Sequence, residues 1–319
     1  MALLLLFLLA ADPFVIVLHK GGSSLGFYTP EGKHLSSVAV GRHPHEFVLA
    51  EGGRIAYMTD NGTIFIEQPG TGGNTVSIVD LAARRKVGEI SLGEYRRPHG
   101  IDLDERAGLL AVSTELPDQL LLIDTRTRKI VKQFDPRGKT AHMVKFGPGA
   151  QWVYVSNASS GNVAAIELAT GNVKLIDTGA RPEGSVLSPD GRRLYVVNRE
   201  ANTITIIDTV RNQAAGEIKT GDGPVRIGIT PDGRQLVYAV MRGRAIEFAD
   251  PAARKAIGRV ALGGQPVSLE MTPDGRLAFA SAQDIDTVWV ISVPERKLLR
   301  EFKTPKGMGP DPALQVTLR

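Results

Sequence analysis

Short runs of alternating apolar and polar residues follow one another along most of this chain, separated by clusters of Gly, Pro, Asn and Asp. Alternation with a period of two is the mark of a β-strand, and no stretch between the runs carries the 3.6-residue period of a helix. The unit is clearest between Pro182 and Pro224. It opens with Arg181-Pro182-Glu183-Gly184, continues as a short apolar strand, and turns at Ser188-Pro189-Asp190-Gly191-Arg192. Strands at Leu194–Asn198 and Thr203–Asp208 come next, and Gly216–Gly221 closes the unit. In the turn, proline supplies a preset φ and glycine a positive one. Asp208 ends its strand where a short carboxylate can accept from the amides of the following turn.

This unit of four strands recurs. The turn returns as Thr230-Pro231-Asp232-Gly233-Arg234 and Thr272-Pro273-Asp274-Gly275-Arg276, and more loosely at Gly147-Pro148-Gly149-Ala150. The third strand returns at Val76–Asp80 and Leu120–Asp124. Opening marks stand at Pro44, Pro98, Ala141, Pro182, Pro224, Pro266 and Pro310, separated by 54, 43, 41, 42, 42 and 44 residues. Repeats of this length with four strands each predict an all-β chain, a seven-bladed β-propeller with four antiparallel strands per blade.

The two ends of the chain agree with that count. After Pro310 there is room for one strand, Ala313–Leu318; before Pro44 there is room for three, Phe14–Leu18, Leu25–Thr29 and Leu35–Val40. Together they make one blade, shared between the N- and C-termini, which closes the ring and hides the edges an open sheet would expose.

Repeats such as Tyr195-Val196-Val197-Asn198 and Tyr154-Val155-Ser156-Asn157, with Ile207-Asp208-Thr209 and Pro231-Asp232-Gly233-Arg234, resemble those of the bacterial and archaeal YVTN-repeat propellers. The resemblance runs over everything after residue 13. It implies an exported or surface-layer-like propeller and implies no particular activity.

In a propeller, the residue after each opening mark faces one mouth of the central channel. In order, these residues are His45, His99, His142, Glu183, Val225, Val267 and Asp311. Three of the six histidines thus fall at equivalent positions. Imidazole and carboxylate are the ligands expected for zinc or a similar divalent ion, so His45, His99, His142, Glu183 and Asp311 form the candidate metal set. His43 and Glu46 flank it as candidate outer partners that would orient an imidazole. The bland reading is that these histidines bond to neighbouring backbone and water. His19 and His34 fall in the shared blade with no evident partner. The first repeat is longer than the others by a loop at Asn61–Asn74, on the same side as the ring, either a lid or partner contact or a plain surface insertion.

Composition narrows the functions. With 38 Lys and Arg against 34 Asp and Glu and no long basic run, a nucleic-acid partner is not expected. The absence of cysteine removes disulfides, thiolate metal sites and cysteine nucleophiles. Gly22-Ser23-Ser24-Leu25-Gly26 has the letters of a hydrolase nucleophile elbow, but that elbow needs a strand and a helix, and here it falls in a hairpin. Gly221-Asp222-Gly223 has no helix after it and is not a phosphate loop.

Residues 1–12 are apolar from Met1 to Ala11, like the core of a secretory signal, though the first positive side chain is Lys20. They are read as a signal peptide or an apolar tail, and 13–319 as the propeller. The run is too short to span a bilayer. The expectation is a monomeric, periplasmic or extracellular module that binds a protein or small ligand at the channel mouth, with or without a metal. A cytoplasmic location follows if the apolar start is not a signal. A metal-dependent, lactonase-like hydrolase or lyase in the channel is the alternative. Binding of a polyanion such as single-stranded DNA, through scattered arginines (Arg84, Arg85, Arg96, Arg97), is a weaker one.

Overall fold

A computed structural model describes residues 12–65 and 68–318. The apolar segment read as a signal falls, but for Asp12, outside the described residues, as does Arg319. Among the described residues, 28 strands form seven separate four-stranded antiparallel sheets. Six sheets are consecutive in sequence. The seventh joins β28 (Pro310–Val316) to β1 (Phe14–His19), β2 (Ser24–Tyr28) and β3 (His34–Ala39). The shared blade is therefore built as the sequence implies, with its last strand starting at Pro310 instead of Ala313.

Period-two alternation in β1 shows why this blade holds the ring together. Ile16 and Leu18 pack toward the first blade, in one cluster with Phe47 and Met58. Val15 and Val17 face the other way, beside Phe279, Val290 and Ala313. A strand buried on both faces reads as a continuous apolar run. Every core cluster lies between blades in this way; the largest buried side chain, Trp289, packs between the fifth and sixth.

The turns carry the chemistry their sequence implies. Asp190 accepts from Ser188 Oγ at 2.5 Å and from the Arg192 amide at 3.0 Å, and Asp232 and Asp274 repeat the pattern. Gly191, with φ of 69°, takes the left-handed conformation that the turn requires. Asp208 ends its strand and accepts from the amides of Val210 and Arg211, both at 3.0 Å.

At the start of most innermost strands the chain makes one unusual move. The residue before the opening mark is left-handed in six blades: His43, Arg97, Thr140, Arg181, Gly223 and Gly309. The strand register then slips just after the mark in those same six. A bulge turns its extra side chain off the sheet's regular alternation, and here that side chain is the ring residue. The carbonyl of the ring residue is held by a hydroxyl on the preceding blade: Thr59 donates to His99 O at 2.8 Å, Ser113 to His142 O, and Ser268 and Ser281 to Asp311 O. Gly100 belongs to the same contact, because a Cβ there would stand 2.6 Å from His142 O.

Two outcomes test this architecture. Deleting residues 313–319 is expected to abolish the cooperative thermal transition, and an unshifted melt would contradict closure by β28. Thr59→Val leaves a buried carbonyl unpaired and is expected to cost about 1–3 kcal/mol in urea unfolding.

Candidate functional site

The bulges bring His45, His99 and His142 side by side on three consecutive blades. Their rings lie 3.9 and 3.8 Å apart between centroids and are tilted by 41° and 38°. His99 and His142 are buried and His45 nearly so. Burial, reinforced by Arg226 in all three, by Lys20 at His45 and by a neighbouring imidazole at His99 and His142, holds the pKa values well below the ordinary imidazole value, so the rings are neutral. His99 Nδ1 lies 2.7 Å from Glu115 Oε1. A carboxylate only accepts, so Nδ1 carries the proton and Nε2 keeps its lone pair. That Nε2 has no hydrogen-bond partner, nor have His45 Nδ1, His142 Nδ1 and Asp311 Oδ1, all buried.

Below the histidines an ion pair crosses the channel. Arg226, on the fifth blade, reaches Glu46 on the first, with Nε and Nη2 at 3.1 and 2.5 Å from Oε1. Both residues are buried. Burial opposes the guanidinium's charge, but Glu46, Glu183 and Asp311 hold its pKa above the ordinary value. Glu183 itself serves three guanidiniums: Arg199 Nη1 at 3.1 Å, Arg181 Nε at 3.3 Å and Arg226 Nη1 at 3.8 Å. On the closing blade Lys20 lies 3.6 Å from Asp311, whose second partner is Gln283 at 2.8 Å. Burial lowers the Lys20 pKa and pushes the Asp311 carboxyl up to about 7.

Above this charged floor is a cavity of about 530 Å³, within the range of small-molecule sites. His45, His99, His142, Glu183 and Asp311 all line it, so the five expected ring residues do share one site. Val225, Val267 and Met241 supply apolar wall. The long loop contributes Ile64 and Phe65, and Phe65 is 67% exposed. Its strands end at Asp60 and resume at Thr75, so the insertion spans 61–74 as read from the sequence. Arg97 fixes it, donating from Nη2 to Gln68 O and Gly70 O at 2.5 and 2.7 Å, while Nη1 lies 3.8 Å from Glu115.

Not every flanking residue joins the site. Glu46 Oε1 stands 3.4 Å from His45 Nδ1, whereas His43 Nδ1 turns away to Lys20 O at 2.9 Å. His19 is a satisfied core histidine, bonded to Ser24 Oγ and Tyr28 Oη at 3.0 and 2.7 Å. His34 is exposed beside Ser37. Ser23 and Ser24 lie in a hairpin, as expected. The arginines considered for polyanion binding are dispersed in role: Arg97 is the buried loop clamp and Arg84 lies over the Phe27 ring. Among the described residues, no group of three or more His, Asp or Glu side chains is arranged to hold a metal ion. The three imidazoles instead lie against one another in a tilted row.

Sequence reading missed Arg226, Glu115, Lys20, Arg199 and Gln283. A signal was present. Glu46 and Arg226 occupy the same step, two after the opening mark. In the six blades with the bulge, the residue that follows the mark's partner on the second strand forms a further ring: Asn61, Glu115, Ala158, Arg199, Met241 and Lys20.

No protein-family model matches the chain. It is 27% identical over 129 residues to an uncharacterized protein, YncE, of Salmonella typhimurium, and 26% identical over the same length to YncE of Salmonella typhi. In each case the match takes in 39% of this chain and 36% of the relative's own length, about a third. Among solved structures, a functionally unknown protein from Desulfotomaculum acetoxidans superposes with a TM-score of 0.79 at 14% identity, covering 96% of this chain and 99% of that one. Hydrazine synthase of Kuenenia stuttgartiensis gives 0.68 at 18% identity, over 89% and 90% of the two chains. The dihydro-heme d1 dehydrogenase NirN, in complex with DHE, gives 0.67 at 16%, over 94% and 74%. At these identities the likeness is one of fold.

Two predictions follow from the electrostatics. Arg226→Met strands Glu46 in the interior and is expected to cost roughly 3–5 kcal/mol, most of it recovered in Arg226→Met with Glu46→Leu. Urea titration of the single and double variants measures both. The histidines also carry a pH dependence of their own. As pH falls below the unfolded histidine value of 6.5, the unfolded chain takes up protons that His45, His99 and His142 refuse in the fold, and their contribution is lost. Glu270, Asp311 and Asp60, pushed up to about 8, 7 and 6, first by burial, work in the opposite direction over the same range. Between pH 7 and pH 5 the urea midpoint should therefore fall further, or rise less, in the wild type than in His142→Phe; the same change in both would contradict this.

Proposed function

We propose that this chain is an exported, YVTN-type binding propeller that captures a small organic ligand in the cup above the Arg226–Glu46 pair. The observation that carries this is the set of buried polar atoms without partners (His45 Nδ1, His99 Nε2, His142 Nδ1 and Asp311 Oδ1) on residues that line an open cavity. Each such atom costs about 1–3 kcal/mol when left unpaired, and a ligand that bonds to it removes that cost. The ion pair beneath supports a closed-ended cup over a through channel. Export is supported by the apolar run from Met1 to Ala11. The propeller neighbours include a protein solved in complex with DHE, a precedent for ligand binding by a chain of related shape.

A second reading places a divalent ion such as zinc on the histidines, with lactonase-like chemistry. It is favoured by Glu115, since a carboxylate on the far nitrogen is how metal-binding imidazoles are commonly oriented. It requires the stacked rings to rotate toward a common centre. Glu183 and Asp311 would then complete the ligands, Asp311 being the nearer to His45, at 3.5 Å.

The deciding experiment is denaturing-release mass spectrometry with elemental analysis on untagged protein from its native host, beside His142→Phe. The expected result is an organic molecule released from the wild type and diminished in the variant, without stoichiometric metal. Near-stoichiometric zinc that disappears in His142→Ala and His99→Ala would favour the second reading, and a wild type that releases nothing would sink the first.

A further inference from the structure

The sequence reading expects a monomer, but one blade edge is built differently from the rest. In each blade the fourth strand is outermost and leaves one side of its backbone unpaired. Such an edge is a template for another strand, and charged side chains are a usual guard against it. Six of the seven outermost strands are guarded. Arg85–Ser91, Lys129–Phe134, Val173–Asp177, Gln213–Lys219, Lys255–Ala261 and Lys297–Lys303 each carry at least two Lys, Arg, Asp or Glu side chains. β3, on the shared blade, carries none, and no such side chain occurs between Leu35 and Gly41. The nearest, Lys33 and Arg42, stand beyond its two ends.

The backbone of β3 is available on that side. Val40 donates to Ser23 O at 3.1 Å, and the register sets Val38 beside Leu25 and Ser36 beside Phe27. Bonding alternates along an antiparallel pair, so Ser36 and Val38 bond to β2 while Ser37 and Ala39 turn their amides and carbonyls outward. Among the described residues no hydrogen bond is made to those outward groups. Ser37 and Ala39 are exposed, and Leu35 beside them is 43% exposed.

The partner that fits this edge is the edge itself. Two copies of a strand related by a two-fold axis pair antiparallel, each offering the other the same surface. On Lys129–Phe134 and Lys255–Ala261 every charge is positive, so a second copy is repelled; the other four guarded edges would have to desolvate charges of both signs. β3 imposes neither cost. A foreign strand would need charges or pockets to be recognised, whereas a second copy needs only the matching backbone.

We propose that this chain forms a two-fold dimer in which the β3 edges of two copies pair antiparallel about Ser37, joining two shared blades into one eight-stranded sheet. β3 lies three strands out from β28, which carries Asp311, so both cups stay open. The dimer does not depend on what the cup binds. A contact of one strand pair belongs with the small interfaces, below about 1,200 Å², so it is expected to form in the micromolar range.

Sedimentation velocity of the full chain, from low micromolar to several hundred micromolar, tests this. The wild type is expected to pass from monomer to dimer across that range, and Val131→Lys, which charges a different edge, to follow it. Ser37→Lys sets two lysines against each other at the axis and is expected to stay monomeric, with its thermal melt retained. Hydrogen exchange gives a second readout: in the wild type, exchange across residues 34–40 should slow as concentration rises. Should Ser37→Lys not fold, that slowing decides alone, and a dimer without it overturns the proposal. A monomer at every concentration also overturns it, whether the edge is bare or covered by residues 1–11 of its own chain. So does a dimer that persists in Ser37→Lys, because association through the apolar residues 1–11 or through another face would be untouched by that change.

Discussion

The geometry of the mouth depends on one buried ion pair. Arg226 and Glu46 come from blades nearly opposite in the ring, and their contact spans the channel one residue further along each strand than the ring positions. Two charges taken out of water in this way rarely add net stability, and removing one is costly. Their structural consequence is clearer than their energetic one. They give the cavity a floor, they place a fixed positive charge under three imidazoles, and they help keep those imidazoles neutral. Neutral rings in turn can stack at less than 4 Å, which charged ones would resist.

The backbone makes this possible through a repeated device. A left-handed residue, an opening mark and a bulge recur in six of the seven blades, and each recurrence delivers one side chain off the sheet's regular alternation. The sixth blade lacks the device. Its innermost strand starts later, at Ser268, and its ring residue is Val267, part of the apolar wall. Chemistry is thus distributed around the ring by substitution at a fixed step of a repeat whose hydrophobic positions are spent on blade-to-blade packing.

The fold was legible because its signals are local and repeated. Pro-Asp-Gly turns, Ile-Asp strand ends and alternating apolar runs each say the same thing several times, and the leftover strands at the two ends account for the last blade. The ring of His45, His99, His142, Glu183 and Asp311 was legible for the same reason, since it follows a mark that can be counted. Arg226 and Glu115 were not, because their roles depend on partners 180 and 16 residues away and on which way a bulge turns a side chain. The contact between the imidazoles was equally hidden: spacing shows that side chains share a mouth, not that their rings pack against one another. His19 shows the limit from the other side, a histidine whose whole role is to bond Ser24 and Tyr28 in the core.

The most direct test of the cup is a high-resolution crystal structure of the full chain purified gently from its native host. Density for an organic molecule within hydrogen-bond distance of His99 Nε2 and Asp311 Oδ1 is the expected result. A cup filled only by ordered waters that satisfy these atoms, or a single metal peak among the histidines, would contradict it.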